Sequence, residues 1–314
     1  MEGVANSLSL GKESSWGVAV VPTVSIAIKP SNGLTVNQDL ISIEGINTKP
    51  SKNKLMALGK RNYKGSYTVP AYPTALGFLL GAVSVDTPAT VETGAVYTHT
   101  FIDNITKPAY TVEQYLSAVS TRYAGVNFIS FKISGKAGEE IDIAVDVIGK
   151  TQATAGPITQ SYETNRPFNF GDITSLSIGG TDIKAKVTSF EIDYTSGLDH
   201  FWGMGAVEPA KAYAKQSECK GKLTLYLDSV DVSYFADLIA KTERAIVLTI
   251  TGDAIGTSHF NTLVITLSQC DFSKFNTKFA FDYNAVDIEF EAREDATNGI
   301  FKAVLTNTTA TYAV

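Results

Sequence analysis

The chain has 314 residues, 44% hydrophobic and 18% charged, with a formal net charge of -6 and a pI near 5.2. That is enough chain for two ordinary domains with real cores, and its composition is globular, which excludes a disordered protein. The acidic balance excludes a protein that holds nucleic acid by neutralising phosphates, which needs clustered Lys and Arg.

Met1–Asn6 has no basic patch ahead of an apolar run, and no stretch of about 18 apolar residues occurs, so neither a secretory signal nor a transmembrane helix is expected. Met1 to about Val20 is small-residue-rich and polar and reads as a free arm; this arm or the C-terminal one, or both, is expected to order against a neighbouring ring. Leu40–Glu44 alternates and reads as an opening strand with Glu44 on its polar face. Lys64–Val69 is a strand, followed by a short helix at Pro73–Leu80 with proline in its first turn. Ser84–Gly125 is long for a compact unit and reads as a second segment that orders against a neighbour.

Ile141–Val147 sets Ile141, Ile143, Val145 and Val147 on one face and Asp142, Ala144 and Asp146 on the other, the period of a half-buried strand. Thr151–Pro157 is small and polar, with Gly156 and Pro157, and reads as a linker. Phe190–Tyr194 alternates with Glu191 and Asp193 outward, and Lys222–Leu227 alternates too. Asp231–Lys241 carries Tyr234, Phe235, Leu238 and Ile239 at helical spacing. Val286–Arg293 alternates with Asp287, Glu289, Glu291 and Arg293 on its polar face. Asn298–Val314 reads as a closing arm.

The order of elements repeats. The pairs Lys64-Gly65 and Lys220-Gly221 lie 220 − 64 = 156 positions apart, each in a strand that precedes a helix; each half opens on an alternating strand, Leu40–Glu44 and then Phe190–Tyr194, and ends on an acidic one. The expected fold is therefore mainly β: two tandem β-sandwich or half-barrel domains, each with a short flanking α-helix. Residues 1–150 form the first with its N-terminal arm, 151–160 the linker, and 161–314 the second with its C-terminal arm.

Chemistry is sparse. Cys219 and Cys270 make no disulfide framework and read as small buried hydrophobes in a reducing compartment. His99, His200 and His259 lie far in sequence from each other and at no metal-ligand spacing. No nucleophile elbow or phosphate loop occurs, and Trp202-Gly203-Met204-Gly205 reads as a loop. The expectation is a protein that is not an enzyme and holds no cofactor or metal.

Three stretches carry a resemblance. Gly11-Lys12-Glu13 through Trp16-Gly17-Val18-Ala19 to Pro22 forms a Gly-x-Glu-x-x-x-Gly-x-Ala opening before a proline. Arg122–Val126, Ile129–Ile133 and Gly138–Lys150 form paired closing strands, and Phe168–Phe170, Ile178–Gly180 and Val187–Ile192 begin a second unit. Together they resemble the tail tube proteins of long-tailed bacteriophages, in a duplicated-domain form. The resemblance implies β-domains standing side by side, their inner sheets joined around a lumen, six domains to a ring and rings stacked into a tube. It implies a virion tail assembled in the host cytoplasm, tape-measure and tail-terminator proteins as partners, no membrane, and DNA passing without specific binding. Two such domains per chain would let three chains close a ring. Glu44, Asp142, Asp146, Glu191, Asp193, Asp287, Glu289 and Glu291 recur on the strands resembling the inner sheet, and are expected to line an acidic lumen. The alternative is a β-sandwich adhesin or carbohydrate-binding module, with Tyr213 between Lys211 and Lys215 as its exposed aromatic.

Overall fold

The alternating segments pair into antiparallel ladders in a computed structural model that describes residues 6–43, 55–116, 119–156, 158–226, 232–278 and 284–312. In the N-terminal half the elements are β1 (Asn6–Lys12), β2 (Val24–Ile26), β3 (Thr35–Ile43), β4 (Leu55–Pro70), α1 (Pro73–Val83), β5 (Val85–Thr93), β6 (Val96–Ile102), β7 (Tyr110–Leu116), β8 (Val119–Lys136), β9 (Asp142–Gly149) and β10 (Thr151–Ala155). In the C-terminal half they are β11 (Ile173–Ile178), β12 (Thr181–Asp182), β13 (Val187–Thr195), β14 (Leu198–Phe201), β15 (Lys211–Ala214), β16 (Glu218–Tyr226), α2 (Val232–Ala240), β17 (Arg244–Ala254), β18 (Phe260–Lys278), β19 (Ala285–Arg293) and β20 (Lys302–Asn307).

Each half pairs its strands in the same order. One row runs β3–β4–β9–β8 in the first half and β13–β16–β19–β18 in the second. The other runs β2–β1–β7–β8–β10 and β12–β11–β17–β18–β20. The long strands β8 and β18 belong to both rows, and each changes register against its neighbour at a bulge, between Phe128 and Ser130 and between Phe272 and Lys274. An extra residue kinks a strand and lets it turn from one sheet into the next. The halves join twice: β8 pairs with β13 in the first row, and β20 pairs with β6 in the second.

The apolar faces of these rows meet in one core, with Tyr67, Phe131, Tyr194, Leu223 and Phe290 each at most 1% exposed. Both helices appear where helical spacing places them. Helix α1 is apolar all round, as suits a helix buried on every side. Tyr312 packs edge-on against Phe78, Asn307 Nδ2 donates to the Pro73 carbonyl, and the Glu163 carboxylate accepts from the Thr74 and Ala75 amides at the positive end of the helix. Helix α2 ends at Lys241, whose φ of 52° is left-handed, while Thr242 N–H donates back to Asp237. Its outer face leaves Phe235 and Ile239 exposed.

Several expectations need correction. The N-terminal segment is no free arm, because β1 is a paired strand with Leu8 and Leu10 buried. The C-terminal segment is likewise anchored: β20 lies between β18 and β6, and Phe301, Ala303 and Leu305 are fully buried. Ser84–Gly125 is used within the chain, its β5–β6 hairpin extending the sheet of the other half through β20. Thr151–Ala155 is strand β10 rather than free linker; small polar side chains suit an exposed edge once the backbone has β8 to bond. Leu40 begins no repeat of Phe190–Tyr194 either. The ladder sets Thr35 opposite Lys64 and Asp193 opposite Lys220, so Thr35 occupies the place of Asp193.

The opening motif acts as a knot. Glu13 is buried; its Oε2 accepts from the Gly17 amide at 2.7 Å and its Oε1 from the Gly125 amide and the Thr111 hydroxyl, both at 2.8 Å. Gly17 and Gly125 both take positive φ, and a Cβ on Gly125 would lie 3.2 Å from the Gly17 Cα. Trp16 donates to Asn127 and lies under the Lys150 ammonium. Both cysteines are buried, and burial pushes the Cys270 thiol up to about 12. Among the described residues no helix is long and apolar enough to cross a membrane.

Candidate functional site

The first rows of the two halves meet at β8–β13, where Ser130–Lys136 faces Ser189–Thr195. The result is one uninterrupted ladder, β3–β4–β9–β8–β13–β16–β19–β18. One face of this eight-strand row buries the aromatic core. Period-two alternation turns the polar residues to the other.

Seven of the eight acids expected at the lumen lie on that polar face. Asp142 and Asp146 stand on β9, Glu191 and Asp193 on β13, and Asp287, Glu289 and Glu291 on β19. Glu44 lies outside the described residues. The acids do not stand alone. Across the strands Glu191 faces Lys222, Lys222 faces Glu289, and Glu289 faces Lys274, an alternation of sign. A second line sets Lys132 opposite Asp193, Asp193 opposite Lys220, and Lys220 opposite Glu291. The ion pairs close: Lys132–Glu191 at 2.7 Å, Lys222–Asp287 at 2.9 Å and Lys274–Glu289 at 3.2 Å. Lys29 reaches Asp142 at 2.7 Å and Glu140 at 2.5 Å. Burial opposes the charge of Lys29, but its hydrogen bonds to these two carboxylates outweigh it and raise its pKa.

Exposure divides the acids. Asp146 and Glu291 are exposed, whereas Asp287 is only 2% exposed and also accepts a hydrogen bond from the Thr224 hydroxyl at 2.9 Å. Burial, together with the carboxylates of Glu191, Asp146 and Glu218, holds the Asp193 carboxyl above its ordinary range against the pull of Lys132. The lysines of this face were not among the expected site residues. Lys132, Lys220 and Lys222 all fall on polar-face positions of strands that alternation identifies, so their placement was available from the same period.

An apolar surface on the β3–β4 hairpin was likewise not among the expected features. Beyond the reach of β9 this ladder continues with Leu40, Ile41, Met56 and Leu58 exposed. The loop after β14 lies against β4 here: Arg61 N–H donates to the Val207 carbonyl, and the Trp202 indole to the Arg61 carbonyl. Tyr213 is engaged within its own hairpin, with the Lys215 ammonium over its ring and its hydroxyl toward Asp199. The histidines are spread out: His99 is buried between Asp86 and the Thr309 carbonyl, and His200 between Trp16 and Trp202.

A polar sheet face backed by a continuous core, with charges paired across strands, makes a wall. A search of curated proteins returned no match. The family model for phage tail tube protein matches residues 3–299, nearly the whole length, and the chain belongs to the phage tail tube protein family.

Proposed function

We propose that three copies of this chain close a ring around a lumen, and that stacked rings form the tail conduit through which the phage genome leaves. The observation that carries this reading is the β8–β13 seam, where two four-strand rows of identical order already stand side by side in one chain. Each half acts as one tube domain, the product of an internal duplication, so three chains supply six domains. Three rows of eight strands at about 4.8 Å spacing give a circumference of about 115 Å. The diameter between opposed backbones is then about 37 Å, and strand tilt widens it further.

The polar face lines the lumen in this reading, including the seven described acids and the lysines Lys29, Lys132, Lys222 and Lys274 that pair with four of them. A lysine already bound by a carboxylate has little to offer a phosphate, and binding by counterion release requires free cations. Whatever field remains is screened within about 10 Å at 0.1 M salt. The wall therefore presents charge that cancels locally, a surface DNA can slide along without sustained attachment. The exposed apolar β3–β4 hairpin is suited to reach an adjoining ring.

Electron microscopy of the purified protein, with mass measurement of isolated rings, tests the assembly. Rings of three chains are expected; rings of six full-length chains, or dispersed particles, refute it. For the lumen, Asp146→Lys with Glu291→Lys should slow genome ejection from assembled particles while leaving the tube intact. Ejection at the parent rate would move this face to the outside of the tube.

A further inference from the structure

Resting on the ring reading above, we infer the register in which one copy pairs with the next: the edge of β18 joins β3 of a second copy with Phe275 opposite Val36 and Asn276 opposite Thr35. The intrachain seam supplies the template. Lys64-Gly65 and Lys220-Gly221 align, because Tyr63, Tyr67 and Val69 then coincide with Cys219, Leu223 and Leu225, all buried. From that anchor the ladders fix the rest. Tyr67 faces Val145 and Leu223 faces Ile288; Val145 faces Phe131 and Ile288 faces Phe275. Phe275 therefore takes the place of Phe131, an assignment that also superposes the two bulges. On the other side Tyr63 faces Val36 and Cys219 faces Tyr194, so Val36 takes the place of Tyr194. Phe131 and Tyr194 are partners across β8–β13. Their counterparts Phe275 and Val36 stand on the two outer edges of the eight-strand row.

Those edges bear the marks of a missing neighbour. Among the described residues, β3 pairs only with β4, and the Ser273–Lys278 stretch of β18 pairs only with β19. Unpaired strand edges of this length are templates for another strand. Phe131 and Tyr194 are both 0% exposed, whereas Val36 is 47% exposed and Phe275 is only half buried. Phe235 of α2 packs on Phe275 and is itself 45% exposed. A second copy docked in this register covers Val36 and Phe275 as the internal seam covers their counterparts, which makes a copy of this chain the fitting occupant.

The two seams differ in charge. The internal one carries the Lys132–Glu191 ion pair; the corresponding positions at the open edges are Asn276 and Gly33, and Lys274 is held by Glu289. The interchain seam therefore rests on backbone hydrogen bonds and apolar cover, and ring closure should survive 1 M salt, where the Debye length falls to about 3 Å.

The test is crosslinking of the full chain carrying Thr35→Cys and Asn276→Cys with a short bismaleimide; the native cysteines are buried and their thiols raised by that burial. A covalent product that stops at three chains is expected, at low and high salt alike. The control pair Asn37→Cys with Asn276→Cys, slipped by two residues on the same face, should crosslink at least tenfold more slowly. In the unsubstituted protein, assembly should slow amide exchange at Thr35–Asn37 and at Lys274–Asn276. If microscopy shows three-chain rings but the slipped pair reacts faster, or exchange at these residues is unchanged on assembly, the register is wrong and the ring reading stands. If no rings form, both fall.

Discussion

Asp287→Lys puts the paired-charge face under direct test. Asp287 is 2% exposed, its Oδ2 lies 2.9 Å from Lys222 Nζ, and its Oδ1 accepts from Thr224. A lysine there must bury an ammonium, remove the acceptor of the Thr224 hydroxyl and face a second cation. Leaving one member of a buried pair uncompensated costs about 3–5 kcal/mol. Repulsion between two ammonium groups adds up to about 4 kcal/mol at 4 Å and an effective dielectric of 20. Lys222 is 41% exposed, however, and can turn to water, so most of that second contribution is screened. The net expectation is a loss of about 4–5 kcal/mol. Unfolding entropy near 2.1 cal/mol/K per residue converts this to a Tm drop of about 6–8 °C if the whole chain unfolds as one unit, and about twice that if the C-terminal half opens alone. Glu291→Lys, on the exposed part of the same strand, should change stability by no more than about 0.5 kcal/mol. Thermal melts of the unassembled protein decide the matter. An Asp287→Lys variant that melts within about 2 °C of the parent would refute the claim that this acid is buried and paired.

Three further outcomes are expected. Deleting residues 1–15 removes β1, buried Leu8 and Leu10, and the Glu13 carboxylate, and should leave the chain largely insoluble; a soluble truncation with the parent melting point would contradict the placement of β1 in the core. Asp193 has its folded pKa raised, so the folded state binds more protons than the unfolded one above the ordinary carboxylate pKa, and stability falls as pH rises through that window; Asp193→Asn should raise Tm at pH 7, with the gain vanishing below about pH 3. Burial pushes His200 down to about 4, so the unfolded state binds the extra proton between about pH 6.5 and 4, and about 3 kcal/mol of stability is lost as pH falls through that range; His200→Phe should flatten the drop, and an unchanged pH profile of Tm would remove His200 from the account.

Much of this architecture is legible in the sequence where a strand carries its own pattern. Ile141–Val147, Phe190–Tyr194 and Val286–Arg293 alternate strictly because one face meets the core and the other water, and the structure places all three in the same eight-strand row. Helix α2 shows its apolar stripe for the same reason. The segments that misled are those whose structure is imposed by neighbours. In β1 the serines Ser7 and Ser9 are as buried as Leu8 and Leu10, so no alternation survives to be read. Strand β10 and strand β20 hold the same position in their halves, yet one is Thr-Gln-Ala-Thr-Ala at an open edge and the other is enclosed between β18 and β6. Their side chains differ because their surroundings do, and only the shared backbone ladder shows the correspondence. The lysines of the polar face were legible singly, but their pairing with acids depends on which strands become neighbours, and that is set by contacts far apart in sequence.

In the proposed three-chain ring, covalent fusion of two tube units changes the assembly problem itself. In a ring of six separate domains every seam forms between independent molecules. In the proposed ring half the seams form within a chain, and the β8–β13 seam forms at an effective concentration set by the covalent connection between halves. The second join, β20 with β6, stiffens the pair, because the β5–β6 hairpin of one half completes the sheet of the other. A chain held at two places presents its outer edges, β3 and the end of β18, at a fixed angle to each other. In the proposed ring, once two copies have docked, a third meets two edges together, and its second seam closes without further loss of translational freedom. The internal seam carries the Lys132–Glu191 pair within one covalent chain, whereas the inferred interchain seam would form between molecules and rely on backbone pairing and on covering Val36 and Phe275.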